Sequence, residues 1–236
     1  AFRHIFVQND SSRNLLKSIG IEQVSVAGDT RFDRVYEIAQ QAKRLPEIER
    51  FAADAPVFIA GSTWPPDEEL LVGLIERYPD VKFIVAPHEI DPARIEKFCE
   101  RISRPALRYT QLTPQSDLAA AGVLFVDTIG ILSSVYRYGR WGYIGGGFGA
   151  GIHNTLEAAT FGLPLAFGPR YGKFREARDL VTLRGAASIA SAEELERWFA
   201  GLHDDPDATG RSGTICKEYV LQHKGATARI MDEICR

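Results

Sequence analysis

The sequence predicts a doubly wound α/β fold, an open parallel sheet covered by helices on both faces. Three observations predict it. Short β-branched or aromatic runs alternate with amphipathic stretches along the whole chain. Most of those runs are continuously apolar, as in strands buried on both sides. Small and polar residues follow nearly every run, where βα turns lead into the next helix.

The strand-like runs are 5–8, 24–27, 57–60, 83–86, 123–127, 141–145, 164–167 and 188–190. Helical segments are predicted near 12–19, 30–43, 66–77, 92–102, 130–138, 153–162, 173–183 and 192–201, with a final helix over about 211–235. Thr63, Pro65 and Pro66 mark one helix start, Ser191 with Glu194 fits a capping box, and Asp205-Pro206 reads as an N-cap followed by proline. A break falls near 28–55. Residues 1–33 therefore read as the remnant of an amino-terminal domain, and 34–236 as a carboxyl-terminal domain whose compact part is 56–203. The chain enters a strand-like run almost at its first residue, so further upstream sequence is expected.

Composition narrows the function. The 236 residues are 45% hydrophobic and 25% charged, with a formal net charge of −3, values of an ordinary globular chain. That balance argues against a nucleic-acid binder working through a basic surface. No apolar run is long enough to span a bilayer, and no secretory signal pattern opens the chain. Three dispersed cysteines and no C-x-x-C argue against a disulfide framework or zinc knuckle. The sequon Asn9-Asp10-Ser11 reads as chance.

Ligands of open α/β sheets bind at the carboxyl ends of strands. The junction after the 141–145 run holds five glycines in the seven residues 145–151, followed by His153-Asn154 and Glu157. Glycines let backbone N–H groups approach an anion, and a helix opening at His153-Asn154 would add its dipole. Glu157 on the same helix face could take a sugar hydroxyl. Gly145, Gly146, His153, Asn154 and Glu157 are thus candidate nucleotide ligands. A glycine-rich turn with a capping Asn and a solvated Glu gives the same spacing. Ser62 and Thr63, after the 57–60 run, could bind a phosphate or carboxylate, or cap the next helix. His88 could face the ligand or sit on the surface beside Pro87; Asp127 reads as a turn residue; Arg170 and Arg175 could neutralise an anionic sugar.

Two nominal motifs fail. Gly145-x-Gly147-x-x-Ala150 lacks the acidic residue about 20 positions on that a dinucleotide fingerprint needs. The run from Gly168 to Lys173 is one residue short of a phosphate loop, and Phe174 stands where Ser or Thr is required. No metal constellation, nucleophile elbow or convincing general base stands out.

The order of motifs resembles the carboxyl-terminal part of the 3-deoxy-D-manno-octulosonic acid (Kdo) transferases. The resemblance rests on Gly28-Asp29-Thr30-Arg31-Phe32-Asp33, Gly61-Ser62-Thr63, Ala86-Pro87-His88, Asp127-Thr128-Ile129-Gly130, Gly145-Gly146, His153-Asn154-Thr155-Leu156-Glu157 and Phe174-Arg175-Glu176. It covers nearly the whole chain. The family often carries Pro-Arg-His where this chain has Ala86-Pro87-His88, and a proline where Ala158 stands.

The resemblance implies a GT-B enzyme of two Rossmann-like halves, of which this is the carboxyl-terminal, donor-binding one. It implies CMP-Kdo as donor, a lipid A precursor as acceptor held by the amino-terminal half, and inversion without a metal or other cofactor. Ser62, Thr63, His88, Gly145, Gly146, His153, Asn154 and Glu157 would surround the donor, and no catalytic residue would lie in this chain. The full-length protein would act at the cytoplasmic face of the inner membrane. Another GT-B enzyme using a UDP-sugar, or a non-catalytic nucleotide-binding module, remains the alternative.

Overall fold

The chain opens with a small parallel pair, β1 (Ile5–Val7) and β2 (Val24–Val26), connected by α1 (Asp10–Ser18). The computed structural model describes residues 2–235. Asn9 caps α1 by accepting the Ser12 amide at 2.9 Å. α2 (Thr30–Gln40) and α3 (Pro46–Ala52) then lead to the main sheet.

That sheet takes in β3 (Val57–Thr63), β4 (Lys82–Pro87), β5 (Ala106–Arg108), β6 (Val123–Phe125), β7 (Trp141–Ile144), β8 (Leu165–Phe167) and β9 (Ala186–Ser188). Its order is β5-β6-β4-β3-β7-β8-β9, and every pairing is parallel. The connecting helices are α4 (Pro65–Arg77), α5 (Pro92–Cys99), α6 (Leu132–Val135), α7 (Leu156–Thr160), α8 (Arg175–Leu183) and α9 (Ala192–His203), followed by α10 (Pro206–His223) and α11 (Ala226–Ile234).

The continuous apolar runs are explained by two cores. Successive side chains of a strand point to opposite faces. Val57 and Ile59 of β3 join Ile84, Leu124, Ile144 and Phe167 on one face, against α2, α3, α7, α8 and α10. Phe58 and Ala60 join Phe83, Phe125, Trp141 and Tyr143 on the other, against α4, α5 and α9. Phe199 of α9 meets Phe58 and Trp141 edge-on, with ring centroids 5.4 and 4.9 Å apart. Burying each such side chain is worth roughly 1.5–3 kcal/mol, which holds both helical layers to the sheet.

Several boundaries differ from the sequence reading. The edge strand β5 was not foreseen, because Ala106-Leu107-Arg108 is short and only half-buried. β9 begins two residues before the predicted run. The tail is two helices instead of one, since Gly225 turns the chain with φ of 104°. The Ser191 hydroxyl does accept the Glu194 amide, but Glu194 reaches back to the Ala190 amide, one residue before the expected partner.

The chain runs outward from β3 through β4 to the edge strand β5, returns to β6 between β5 and β4, then crosses to β7 on the far side of β3 and continues to β9. The direction of winding therefore reverses between β3 and β7. Such a switch point leaves a crevice at the carboxyl ends of the two strands, where α/β folds bind ligands.

Candidate functional site

The crevice is built from three βα turns that touch through their backbones. The Gly145 amide donates to the Gly61 carbonyl at 2.9 Å. A Cβ on Gly145 would sit 2.2 Å from the Ser62 carbonyl oxygen, and one on Gly147 would sit 2.5 Å from the Gly168 Cα. Ser62 has φ of 55°, and the β3–β4 ladder slips there, pairing Gly61 with Ala86 and Thr63 with Pro87. The glycines thus have a packing role that composition alone cannot separate from anion binding. Five amides of this turn are already committed. Gly145 gives its N–H to Gly61, Gly146 to Asp67, Gly149 and Gly151 to the Gly146 carbonyl, and His153 to the Gly145 carbonyl.

Asp67, near the start of α4, is fully buried and ties the turns together. Its Oδ2 accepts the Trp64 amide and the Gly146 amide, each at 2.9 Å, and its Oδ1 accepts the Tyr143 hydroxyl at 2.8 Å. Burial, reinforced by the Asp67 charge, pushes the Tyr143 hydroxyl far above its ordinary pKa, so it remains a donor. Beside it, the Thr63 hydroxyl donates to Glu68 Oε1 at 3.0 Å, and Arg94 lies 3.5 Å from Glu68. Burial raises the Glu68 carboxyl, opposed by Arg94 and Thr63. The helix cap falls at Trp64, which corrects the reading of Thr63 as a cap; Thr63 is completely buried with its hydroxyl given to Glu68, and Ser62 is half-buried.

Three aromatic side chains stand together at the crevice. Trp64 Nε1 donates to His153 Nε2 at 2.9 Å. The His88 ring stacks on His153 at 4.1 Å and on Trp64 at 4.8 Å. Burial, with His88 next, lowers the His153 pKa, partly opposed by Asp67. Trp64, Pro66, Asp67, Phe148, Ala150 and His153 wall a cavity of about 420 Å³.

The helix after the glycine turn begins at Leu156 and is only five residues long. His153, Asn154 and Glu157 therefore do not share a helix face, and the expected dipole site at 153–154 is absent. His153 turns toward Trp64. Asn154 is exposed; its Oδ1 accepts the Leu156 amide at 3.0 Å and its Nδ2 donates to Glu157 Oε1 at 2.9 Å. The carbonyl already spent on the Leu156 amide is what stops the helix from extending back through Asn154. Burial raises the Glu157 carboxyl, opposed by the Asn154 bond and by Arg34. This oriented carboxyl can accept hydrogen bonds from a sugar diol.

Of the predicted site residues, Ser62, His88, Gly145, Gly146 and His153 meet at the carboxyl ends of β3, β4 and β7, with Asn154 and Glu157 adjoining. Asp127 serves the fold. It accepts the Thr110 hydroxyl and amide at 2.6 and 2.8 Å and pairs with Arg108 at 2.9 Å. Burial would raise its carboxyl, but those donors outweigh burial and hold it below the usual carboxylate range. Arg170 is pinned to the Gly149 carbonyl at 2.7 Å, and Arg175 lies 3.5 Å from Asp179. Trp64 and Asp67 were missed. Asp67 carried a signal as an acid two residues after a helix start at Pro65, but its reach to Gly146 is tertiary. Among the described residues, no group of three or more His, Cys, Asp or Glu side chains is placed to hold a metal.

No family model matches the chain. Among curated proteins it is similar to the 3-deoxy-D-manno-octulosonic acid transferase of Rickettsia bellii, 26% identical over 239 residues, covering 98% of this chain and 56% of that protein. The chain spans about half the length of the curated relatives it matches. Among solved structures, the C-terminal CMP-Kdo binding domain of WaaA from Acinetobacter baumannii matches with a TM-score of 0.65 at 22% identity, over 80% of this chain and 99% of that one. A UDP-GlcNAc 2-epimerase from Neisseria meningitidis bound to UDP-GlcNAc matches with a TM-score of 0.60 at 16% identity, over 93% of this chain and 61% of that one. The fold is that of a GT-B carboxyl-terminal half, and the chain is similar along nearly its whole length to Kdo transferases.

Proposed function

We propose that this chain is the donor-binding part of a glycosyltransferase that moves Kdo from CMP-Kdo to a lipid A precursor in lipopolysaccharide biosynthesis. One observation carries the reading. Gly61-Ser62, His88, Gly145-Gly146 and His153-Asn154, scattered over some 90 positions of the sequence, converge at the switch point of the sheet, with Glu157 beside them. These are among the residues on which the family resemblance rests.

In this reading Glu157 accepts the ribose hydroxyls, with Asn154 holding its carboxyl in place. Ser62 and His153 supply neutral donors to the donor's anionic groups. The protein positions the nucleotide and stabilises the departing CMP phosphate as the anomeric bond breaks. The acceptor and the catalytic carboxylate belong to the amino-terminal half, so this chain alone binds nucleotide and does not transfer sugar. No metal or other cofactor takes part, and the full-length enzyme works at the cytoplasmic face of the inner membrane. Among the described residues no helix is long and apolar enough to cross a membrane.

Titration calorimetry with CMP and UMP tests the reading. CMP binding in preference to UMP, weakened about tenfold by Glu157→Ala, supports it. Likeness to a UDP-GlcNAc 2-epimerase favours a UDP-sugar enzyme as the second reading, and a preference for UMP would select it. Binding of neither nucleotide would count against both.

A further inference from the structure

We infer that Trp64 is a positioning residue: it fixes His153 as the Nδ1–H tautomer, so that the imidazole presents an N–H to the phosphate of a bound cytidine nucleotide. The inference rests on the nucleotide-binding reading above and adds how one residue of that site is set.

An indole nitrogen can only donate a hydrogen bond. The 2.9 Å contact from Trp64 Nε1 therefore requires a lone pair on His153 Nε2. A neutral imidazole with a bare Nε2 carries its proton on Nδ1, because the bond made by one ring nitrogen sets the state of the other. The imidazolium would place two donors face to face across that contact. The other groups facing the ring are His88, stacked 4.1 Å away, and the Asp67 carboxylate, already occupied by three donors. Burial and His88 favour the neutral ring over the effect of Asp67.

The free edge is the one a ligand can reach. The Cδ2–Nε2 edge lies against Gly146, where an added Cβ would come within 3.0 and 3.2 Å of those atoms. Among the described residues Nδ1 has no hydrogen-bond partner, and it is not among the buried polar atoms left unpaired, so it is open to solvent. The phosphate is the group to meet it. Asn154 follows His153 directly and holds Glu157, the proposed ribose contact, and the phosphate is the ribose's neighbour along the nucleotide. The Trp64 ring also stacks on His88, so one side chain orders both imidazoles.

The test uses this chain labelled with ¹⁵N-histidine. Long-range ¹H–¹⁵N spectra read the tautomer, and calorimetry reads CMP and cytidine binding separately. Wild type should show His153 protonated at Nδ1. Trp64→Phe keeps an aromatic ring and removes the donor; it should shift protonation toward Nε2 and weaken CMP about tenfold while leaving cytidine unchanged. His153→Asn places an amide N–H near the Nδ1 position and should bind CMP within about twofold of wild type, whereas His153→Gln should lose about tenfold. An Nε2–H wild type overturns the proposal. So does a Trp64→Phe chain with unchanged tautomer and unchanged CMP affinity, or one that loses CMP and cytidine alike. A chain that shows the Nδ1–H tautomer and its shift in Trp64→Phe, yet binds no CMP, upholds the Trp64–His153 relation and overturns the nucleotide reading on which its ligand rests.

Discussion

Asp33 and Thr227, 194 residues apart, are joined by two hydrogen bonds. Asp33 Oδ2 accepts the Thr227 amide at 2.9 Å and its hydroxyl at 3.1 Å, while Oδ1 accepts the Gly225 amide. A side chain of α2 thus caps α11, doing from elsewhere in the fold what a local N-cap residue would do. Arg229 of the same helix donates to the Ala27 carbonyl at 2.7 Å, which ties the tail back to the first unit.

Removing that cap should loosen the tail. Asp33→Ala is expected to cost about 1 kcal/mol, a typical capping loss, in urea unfolding at pH 7. Burial alone would raise the Asp33 carboxyl, but the Thr227 and Gly225 donors outweigh it and hold it low. Its contribution is therefore present above the unfolded carboxyl pKa and disappears as pH falls through the lower folded value. Asp33→Asn should flatten that part of the acid limb. An unchanged acid limb would show that the carboxylate does not hold α11 in solution.

Asp67 should be the more costly acid to lose. Asp67→Ala strips partners from the Trp64 amide, the Gly146 amide and the Tyr143 hydroxyl together, and is expected to destabilise by roughly 3 kcal/mol or more. Tyr143→Phe breaks one of the three bonds and should cost about 1 kcal/mol. Hydrogen exchange at the Gly146 amide should accelerate strongly in the first variant and little in the second.

The glycines separate by backbone geometry. Gly145→Ala drives a Cβ into the Ser62 carbonyl oxygen, so β3 and β7 must part at their carboxyl ends. A loss of several kcal/mol, on the order of an overpacked core site, is expected in thermal or urea unfolding. Gly172→Ala meets nothing within 4 Å and should change stability by less than about 0.5 kcal/mol.

His203 gives stability a dependence near neutral pH. Asp204, then Asp80, raise its pKa against some burial, through contacts of 2.9 and 2.8 Å. A raised folded pKa means the contribution is complete below the unfolded histidine pKa and fades as pH rises through the folded value. Unfolding midpoints should fall modestly between about pH 6 and 8, since exposed pairs are weak, and His203→Gln should remove that slope.

The sheet was legible because strands buried on both faces must be apolar at every position, as Val57-Phe58-Ile59-Ala60 are. β5 escaped notice because its residues are neither continuously apolar nor fully buried. The site was legible as a set of turns. Ser62, His88, Gly145 and His153 were placed correctly near one another by the rule that ligands collect at strand ends. Their roles were not legible. Whether a glycine serves an anion or a neighbouring backbone depends on what lies 2.2 Å from its absent Cβ, and no local pattern states that. The orientation of His153 depends on Trp64, 89 positions earlier. Asn154 misled because Asn is equally at home in a first helical turn and in the side-chain-closed turn it makes here.

The two outermost strands of the main sheet, β5 and β9, are three residues each. A flank that short exposes too few unsatisfied amides and carbonyls to template another copy, so the molecule should resist fibril-like growth from its rims even when concentrated.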